Sequence, residues 1–153
     1  MPRRERKYTL DTQLFIHAFR DACANSALQA FHTGFAPFEY LSAVVVHELR
    51  SGATAAQANP LYANVFEPFE RRGRILTPTY GTWKRAGEVL SHFARREGLE
   101  HRAMSRAFVN DVLLALTCRE SGVTLVTENL KDFARIARTV KFEFVPPWPV
   151  PST

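Results

Sequence analysis

Acidic and amide residues recur where predicted strands end and predicted helices begin. Asp11 directly follows the first predicted strand, and Asp111 lies at the opening of an apolar helix predicted over residues 112–122. Asn129 and Asp132 follow the strand "VTLVT" and belong to the first turn of the next helix. Aspartate is also a common helix cap, worth about 0.3–1 kcal/mol, so each position taken alone has a purely structural explanation.

Glu48 is not explained by helix capping. It lies about two turns into the helix predicted from "VVVHELRSG", beyond the useful reach of the helix dipole. Its helical neighbours Val45, Leu49 and Gly52 form a stripe in which an unpaired glutamate is costly. No lysine of this helix reaches Glu48, and Arg50 points elsewhere. Glu48 is therefore the most informative residue of the chain.

If Asp11, Glu48 and Asp111 converge in the fold, their repulsion requires protons or a cation. Two such charges about 4 Å apart cost roughly 4 kcal/mol at an effective dielectric constant near 20. Carboxylates without cysteine or histidine companions favour Mg²⁺ or Mn²⁺ over zinc. These ions support phosphodiester hydrolysis because they activate water and stabilise the leaving oxygen.

The elements that must position these acids alternate between short strands and longer helices. The predicted strands are Tyr8 to Leu10, "PFEYLSA", "RILTP", "VTLVT" and "KFEFVP". The first predicted helix has Leu14, Phe15, Ala18 and Phe19 on its apolar face. The others are "NSALQAFHTG", "VVVHELRSG" capped by Ser42, "NPLYANVFEPFERRG" interrupted or bent near Pro68, Tyr80 to Gly98, "AFVNDVLLALTCRESG" and "NLKDFARIAR". Leu99 to Arg106 is predicted to be a loop. The alternation predicts a parallel sheet with helices on both faces and ligands at its carboxyl edge.

The composition is that of one globular domain. The chain has 153 residues, of which 46% are hydrophobic and 23% charged. We expect a single domain over residues 1–153, with a core at about 7–148 between a short basic N-terminus and the Pro-rich tail "VPPWPVPST". Two cysteines exclude a disulfide framework, and no apolar run reaches the roughly 18–20 residues of a membrane span. A cytoplasmic protein without a secretory leader is expected.

The formal charge of +5 and the pI near 9.6 favour a polyanionic partner, since the guanidinium fork suits phosphate oxygens. The same charge is compatible with an ordinary solvated surface. The candidate contacts to a nucleic-acid backbone, chosen by clustering, are Arg71, Arg72, Arg74, Arg95 and Arg96.

Four segments together resemble the PIN-domain ribonucleases, in particular the small bacterial toxins of the VapC kind. They are "YTLDTQLFIHAF", "LSAVVVHELRSG", "NDVLLALTCRESGVTLVTENLKDF" and "FEFVPPW", and the resemblance extends from Tyr8 to Trp148. It implies a three-layer α/β/α sandwich around a central parallel sheet. It also implies an endoribonuclease that depends on Mg²⁺ or Mn²⁺.

Carried over by position, the resemblance makes Asp11, Glu48 and Asp111 the metal ligands. Asn129 and Asp132 complete the catalytic set, and which of the two completes the metal shell stays open. Residues that support the ligands without binding the ion are Thr12, Gln13, Ser42 and Thr127. Gln13 departs from the asparagine that is common at this position in the family.

The resemblance further implies a cognate antitoxin that wraps the toxin and presents a basic side chain to the acids. The expected assembly is a homodimer that acts on RNA and reaches operator DNA only through the antitoxin, with no membrane partner. Two alternatives stay open, a PIN-like module that binds RNA or protein without cleavage and a housekeeping RNA-processing nuclease.

Overall fold

The protein folds around a parallel sheet of five strands in the order β3-β2-β1-β4-β5. The computed structural model describes residues 5–98 and 104–151. The strands are Lys7–Leu10 (β1), Glu39–Ser42 (β2), Ile75–Leu76 (β3), Val123–Val126 (β4) and Phe144–Val145 (β5). The parallel sheet predicted from the alternation of elements is confirmed.

Helices cover both faces of this sheet, as the sequence predicted. The helices are Thr12–Arg20 (α1), Ala22–Phe35 (α2), Ala43–Gly52 (α3), Ala55–Leu61 (α4), Glu67–Arg71 (α5), Tyr80–Glu97 (α6), Arg106–Ser121 (α7) and Leu130–Ala137 (α8). All four residues of β4 are buried, which requires packing on each side because strand side chains alternate between faces. Among the described residues, no helix combines the length and the apolar character needed to cross a bilayer.

The segment between α3 and β3 contains two short helices and a π-helical turn, where the sequence predicted one helix over residues 59–73, interrupted or bent near Pro68. A capping box of Thr54 and Gln57 starts α4 at Ala55, earlier than predicted. The chain then passes through a π-helical turn at Tyr62–Phe66 before α5. Pro68 lies in the first turn of α5, where its missing N–H is no loss. The interruption that the sequence predicted near Pro68 is therefore present, since the π-helical turn ends at Phe66 and α5 begins at Glu67.

Two predicted strands are shorter than expected, and one predicted loop cannot be compared. The strands predicted over 74–78 and 141–146 are reduced to β3 and β5, which lie at the two edges of the sheet and each pair on one side only. Most of the loop predicted from Leu99 to Arg106 lies outside the described residues.

Helix α7 begins at Arg106, whereas the sequence analysis predicted Asp111 at the opening of this helix. The Ser105 hydroxyl accepts a hydrogen bond from the Phe108 N–H at 3.1 Å and so caps the helix before Arg106. Asp111 consequently lies more than one turn inside α7, and its predicted place at the opening of the helix is wrong. Capping no longer accounts for an acid at this position.

The strand order reverses between β1 and β4. The first half of the chain adds β2 and β3 to one side of β1, whereas β4 and β5 lie on the other side. The Asp11 N–H donates to the Val126 carbonyl oxygen at 2.9 Å, which joins the carboxyl ends of the two strands. Open α/β sheets bind ligands in the crevice at such a switch point.

A buried pair fixes the start of β2. The Glu39 side chain is 3% exposed, and its Oε2 lies 2.6 Å from Nδ1 of His32 on α2. The other carboxylate oxygen of Glu39 is buried without a hydrogen-bond partner among the described residues. Because β2 ends at Ser42, which caps α3, this pair helps to set the position of Glu48.

The Pro-rich tail packs back on the domain. The Trp148 ring lies 5.3 Å from the Phe31 ring of α2, and a Cβ added at Gly34 would meet Pro151 at 3.8 Å. Phe31 in turn stacks on Phe35 at 4.6 Å. Although the tail has no core of its own, it covers part of the core beneath α2.

We predict that His32→Leu lowers the free energy of unfolding by about 3 kcal/mol, because it leaves the buried Glu39 carboxylate unpaired. This is the low end of the range for breaking a buried pair, since the His32 side chain is 26% exposed. The double variant His32→Leu/Glu39→Leu should recover most of the loss in urea unfolding. Equal losses in the single and double variants would contradict the assignment.

Candidate active site

Asp11 is held by two hydrogen bonds at the carboxyl end of β1. One oxygen accepts from the Thr12 N–H at 2.8 Å, so Asp11 caps α1, and the other accepts from the Thr127 hydroxyl at 2.7 Å. The residue is 5% exposed. A carboxylate has about four acceptor positions, so lone pairs remain for a further ligand. Helix capping and a role in a site are therefore compatible for Asp11.

Glu48 is partnered by a hydroxyl rather than by a cation. The Thr12 side chain donates to Glu48 Oε1 at 2.8 Å, across the contact between α1 and α3. Ser42 is fully buried, and its hydroxyl accepts from the Val44 N–H at 3.1 Å, which starts α3 at the end of β2. Thr12 thus links the start of α1, which Asp11 caps, to the half-buried Glu48 carboxylate.

Among the carboxyl groups of the site, Asp111 has the pKa that is shifted furthest from its ordinary value. Burial, which contributes most, and the charges of Asp11, Glu48 and Asp132, in that order of importance, together raise its pKa to about 8. These couplings join carboxylates from four separate elements into one group. At neutral pH the Asp111 carboxyl retains its proton unless a cation approaches.

The Asp11 carboxyl is subject to opposing influences. Burial raises its pKa most strongly, while the hydrogen bonds from Thr127 and Thr12 lower it. The charges of Glu48 and Glu128 raise it again. The net pKa lies above the usual value, because burial and repulsion outweigh the two donors.

The end of β4 contributes a chain of polar contacts. The Thr127 hydroxyl accepts from the Asn129 N–H at 2.9 Å while it donates to Asp11. The Asn129 side-chain amide donates to Asp132 Oδ2 at 3.0 Å. Asn129 and Asp132, which the sequence predicted at this edge, therefore reach Asp11 through Thr127.

Glu128 and His17 were not predicted as residues of the site. The Glu128 charge raises the Asp11 pKa, and its carboxylate lies 3.1 Å from Nδ1 of His17 on α1. The available signal was the position of Glu128 directly after Thr127, at the same strand end. The predicted supporting residue Gln13 is exposed on α1.

Three of the five arginines predicted to bind RNA lie at the opposite edge of the sheet. Arg71, Arg72 and Arg74 directly precede β3, so they lie at the amino ends of the strands. Arg71 pairs with Glu67 in the same helix turn. The Arg74 guanidinium donates to the Ala36 carbonyl oxygen and is thereby committed to the fold.

Arg95 and Arg96 are placed differently. Both are exposed in the last turn of α6. This end of α6 lies beside the start of α7, where the Phe93 and Phe108 rings pack edge to face at 5.4 Å. Asp111 follows Phe108 by about one helical turn. These two guanidinium groups therefore lie on the same side of the molecule as the acids.

The donor set fits a hard divalent cation. Asp11, Glu48, Asp111 and Asp132 offer carboxylate oxygens, and Asn129 adds an amide, which suits Mg²⁺ or Mn²⁺ better than zinc. In residues 5–98 and 104–151, no three His, Cys, Asp or Glu side chains are already placed to hold an ion.

We predict that Asp111→Asn stabilises the metal-free protein in a pH-dependent way. Because the folded pKa is raised from 3.8 to about 8, wild-type stability falls as pH rises through this window, and the asparagine variant avoids that loss. In EDTA, the difference in Tm between variant and wild type should grow with pH and level off above about 8. Mn²⁺ should raise the Tm of the wild type more than that of the variant. A Tm difference that is independent of pH would refute the assignment.

Structures of the same fold are known from bacterial complexes. FitAcB from Neisseria gonorrhoeae matches with a TM-score of 0.64 and 21% identity, over 94% of this chain and 99% of that chain. DNA-bound VapBC from Salmonella typhimurium matches with a TM-score of 0.66 and 20% identity, over 93% and 98% of the two chains. VapBC-1 from nontypeable Haemophilus influenzae matches with a TM-score of 0.64 and 18% identity, over 91% and 96%. At such identities the likeness shows the fold alone.

No curated protein sequence matches the chain. A family model for the PIN domain, however, matches residues 8–139 and so spans the site and most of the sheet. PIN domains are generally nucleases that act on phosphodiester bonds. The match confirms the resemblance seen in the sequence, and the chain belongs to the PIN-domain family.

Proposed function

We propose that this protein is an endoribonuclease dependent on Mg²⁺ or Mn²⁺ and the toxin of a toxin–antitoxin pair. The observation that carries the proposal is the group of carboxylates from four elements at the strand switch point, where burial and then the neighbouring charges raise the Asp111 pKa to about 8. Such crowding is unfavourable without a cation, and PIN-domain nucleases typically use divalent metal ions. The protein is proposed to work in the cytoplasm.

Asp11, Glu48 and Asp111 hold the ion in this proposal, and Asn129 and Asp132 complete its surroundings. When bound, Mg²⁺ or Mn²⁺ supplies positive charge that stabilises the developing charge on the scissile phosphate. Asp111 gives up its carboxyl proton when the ion binds, so metal affinity falls as pH drops below about 8.

The threonines act as positioning residues. Thr127 donates a hydrogen bond to one oxygen of Asp11, and Thr12 donates one to an oxygen of Glu48. These bonds fix the orientation of both carboxylates and therefore the directions of their remaining lone pairs. Partners of ligands in this role typically change metal affinity or activity by about 10–100-fold when they are removed. Arg95 and Arg96 supply positive charge for the RNA backbone on the same side.

We predict that Asp11→Asn and Asp111→Asn each reduce cleavage of a mixed RNA pool by more than about 100-fold, while Thr127→Val reduces it by about 10–100-fold. The measurement is gel-resolved cleavage in Mn²⁺, with an EDTA arm that should show no products. Folding of each variant is checked by its thermal unfolding curve.

Asp21→Asn is the matched control for Asp11→Asn. Asp21 also caps a helix, because its side chain accepts a hydrogen bond from the Ala24 N–H at 2.8 Å. Unlike the Asp11 cap, this hydrogen bond is exposed and remote from the acids. This variant should cleave as the wild type does. RNA binding without cleavage by the wild type would favour the binding module, and full activity in EDTA would exclude the metal.

A groove beside the site offers a place for the proposed antitoxin. Helices α1, α3 and α4 border a cavity of about 530 Å³. Its lining includes apolar Ile16, Leu49 and Leu61, and Phe19, predicted on the apolar face of α1, is 57% exposed toward it. Glu48 lies in the same wall, so an apolar segment seated here reaches the site.

The charges of the groove define the partner's chemistry. A guanidinium or ammonium group beside Glu48 would take the place of the metal charge, while Arg20 on the same wall suits an acidic residue. FitAB and VapBC are known as complexes bound to DNA fragments. For this chain we propose a complex of the same kind, in which operator DNA is contacted only through the antitoxin.

We predict that Ala56→Lys uncouples the toxin from its antitoxin. Ala56 lines the groove and is exposed, so a lysine fills the space that the partner requires and leaves the acids unchanged. Expression of the wild type should arrest growth, and co-expression of the small protein encoded beside its gene should restore it. The Ala56→Lys variant should arrest growth in both cases.

Ala55→Lys provides the control, because Ala55 is exposed in the same first turn of α4 but does not line the groove. Its toxicity should be relieved by the partner. Equal relief of both variants would place the antitoxin elsewhere. Normal growth with abundant wild-type protein would exclude the toxin role and favour a housekeeping nuclease.

A further inference from the structure

Another cavity lies beside the groove and encloses about 390 Å³, within the range of about 300–1,000 Å³ that is typical of small-molecule sites. It is bordered by α1, α2, the π-helical turn and α5. Phe15, Leu28, Val65 and Phe69 give it a wall of buried apolar side chains. His32 lines it as well, and we call it the His32 cavity. Its size and apolar wall suit a single small ring.

The pair of His32 and Glu39 places a polar group in this apolar wall. The Nδ1 atom of His32 lies 2.6 Å from the buried Glu39 Oε2. The centroid of the imidazole lies 6.4 Å from the ring centroids of Phe15 and Phe69, so the ring packs with the wall. Because Glu39 occupies Nδ1, Nε2 is the nitrogen left to bond a ligand. In the neutral ring whose Nδ1–H donates to the carboxylate, Nε2 is an acceptor.

Three carboxamides form the exposed part of the lining, Asn25 and Gln29 on α2 and Asn64 in the π-helical turn. The Gln29 amide nitrogen lies 3.5 Å from Asn25 Oδ1, so these two side chains lie side by side. Each carboxamide presents a donor beside an acceptor. This pattern matches the edges of nucleobases, as in the pairing of asparagine or glutamine with adenine.

The charges around the His32 cavity favour a neutral occupant. Among the described residues that line it, none is a lysine, arginine, aspartate or glutamate. Behind His32, the second oxygen of the buried Glu39 carboxylate has no hydrogen-bond partner in the described part of the chain, and its charge disfavours a phosphate. A purely apolar side chain from a partner protein would leave the carboxamides and Nε2 without partners. A nucleobase is neutral and planar and carries donors and acceptors on its edge.

The His32 cavity is continuous with the groove that contains Glu48. Phe19, Asn64 and Val65 line both of them. Phe19 is 57% exposed at this junction, and an exposed aromatic ring offers a face on which a base can stack. A strand whose phosphate lies at the acids can therefore extend along the groove and place a nearby base in the cavity.

We propose that the His32 cavity binds one nucleobase of the RNA strand and thereby selects where the strand is cut. The carboxamides and Nε2 of His32 read the edge of the base, and the phenylalanine rings hold its faces. The selection of a cleavage position rests on the proposed nuclease function. Binding of a base does not, so the two are tested separately.

The first measurement is binding of uncharged ribonucleosides to the ¹⁵N-labelled wild-type protein in EDTA. The probes are adenosine, cytidine, uridine and inosine, the last as a soluble analogue of guanosine. We expect at least one of them to bind saturably in an NMR titration. The side-chain amide signals of Asn25, Gln29 and Asn64 and the Nε2 signal of His32 should shift together with the same Kd.

Gln29→Leu and Asn64→Leu should each raise this Kd at least about fivefold, because each removes a group that pairs with the base. Both positions are exposed, so these variants avoid the loss of stability predicted for His32→Leu. Asn59→Leu is the matched control, since Asn59 is exposed on α4 but lines neither the cavity nor the groove. It should bind the nucleoside as the wild type does.

The second measurement is sequencing of the ends produced from a mixed RNA pool in Mn²⁺. The wild type should prefer one base at a fixed position near the cut, the base of the nucleoside that binds, and Asn64→Leu should lose this preference. Nucleoside binding that follows the variants in protein that cleaves no RNA would support the base site and contradict the nuclease alone.

Absence of binding by all four nucleosides up to their solubility limits overturns the proposal. So does a Kd that is unchanged in Gln29→Leu and Asn64→Leu, or one that rises equally in Asn59→Leu. Tighter binding of indole or phenol than of every nucleoside would also overturn it, and would assign the cavity to an aromatic side chain of a partner protein.

Discussion

The hydrogen bond from Thr127 to Asp11 is the contact on which the geometry of the site depends. It joins the ends of β1 and β4, the two strands between which the sheet reverses its order. The same hydroxyl accepts from the Asn129 N–H, so the start of α8 is fixed to the first acid. One buried threonine thus connects residues more than 100 positions apart and fixes the crevice in which the acids meet.

The fold tolerates an unfavourable concentration of charge at this crevice. Burial and like charges raise the pKa of Asp11 and Asp111, which is the reverse of what salt-bridged carboxylates show. Rigid neighbours make this possible, because Thr12 and Thr127 hold two of the carboxylates through short hydrogen bonds. A site arranged in this way is poised to bind positive charge, whether it comes from an ion or from a basic side chain.

The sequence was informative where local chemistry decides the structure. Alternating hydrophobicity predicted the parallel sheet, and the apolar surroundings of Glu48 correctly indicated that it needs a partner. That the partner is the Thr12 hydroxyl depends on how α1 crosses α3, which no local pattern encodes. Asp111 was misplaced relative to its helix start, since the cap at Ser105 lies in a polar stretch that was predicted to be a loop.

Surface positions were harder to predict, because the sheet topology decides which residues are exposed and at which edge of the sheet they lie. Arg71, Arg72 and Arg74 form a basic cluster in sequence, yet they precede β3 and lie away from the acids. Glu128 was overlooked beside Thr127, although both leave the same strand. Spacing along the chain does not reveal which end of a strand a charged side chain occupies, and this limited the prediction of nucleic-acid contacts.

The packing of Trp148 on α2 has a consequence for where the domain can be shortened. Removal of the residues after Val145 would take away the indole ring that lies against Phe31, whose ring in turn stacks on Phe35. Aromatic surface uncovered in this way favours aggregation. The Pro-rich tail is therefore a part of the folded domain and not a dispensable extension of it.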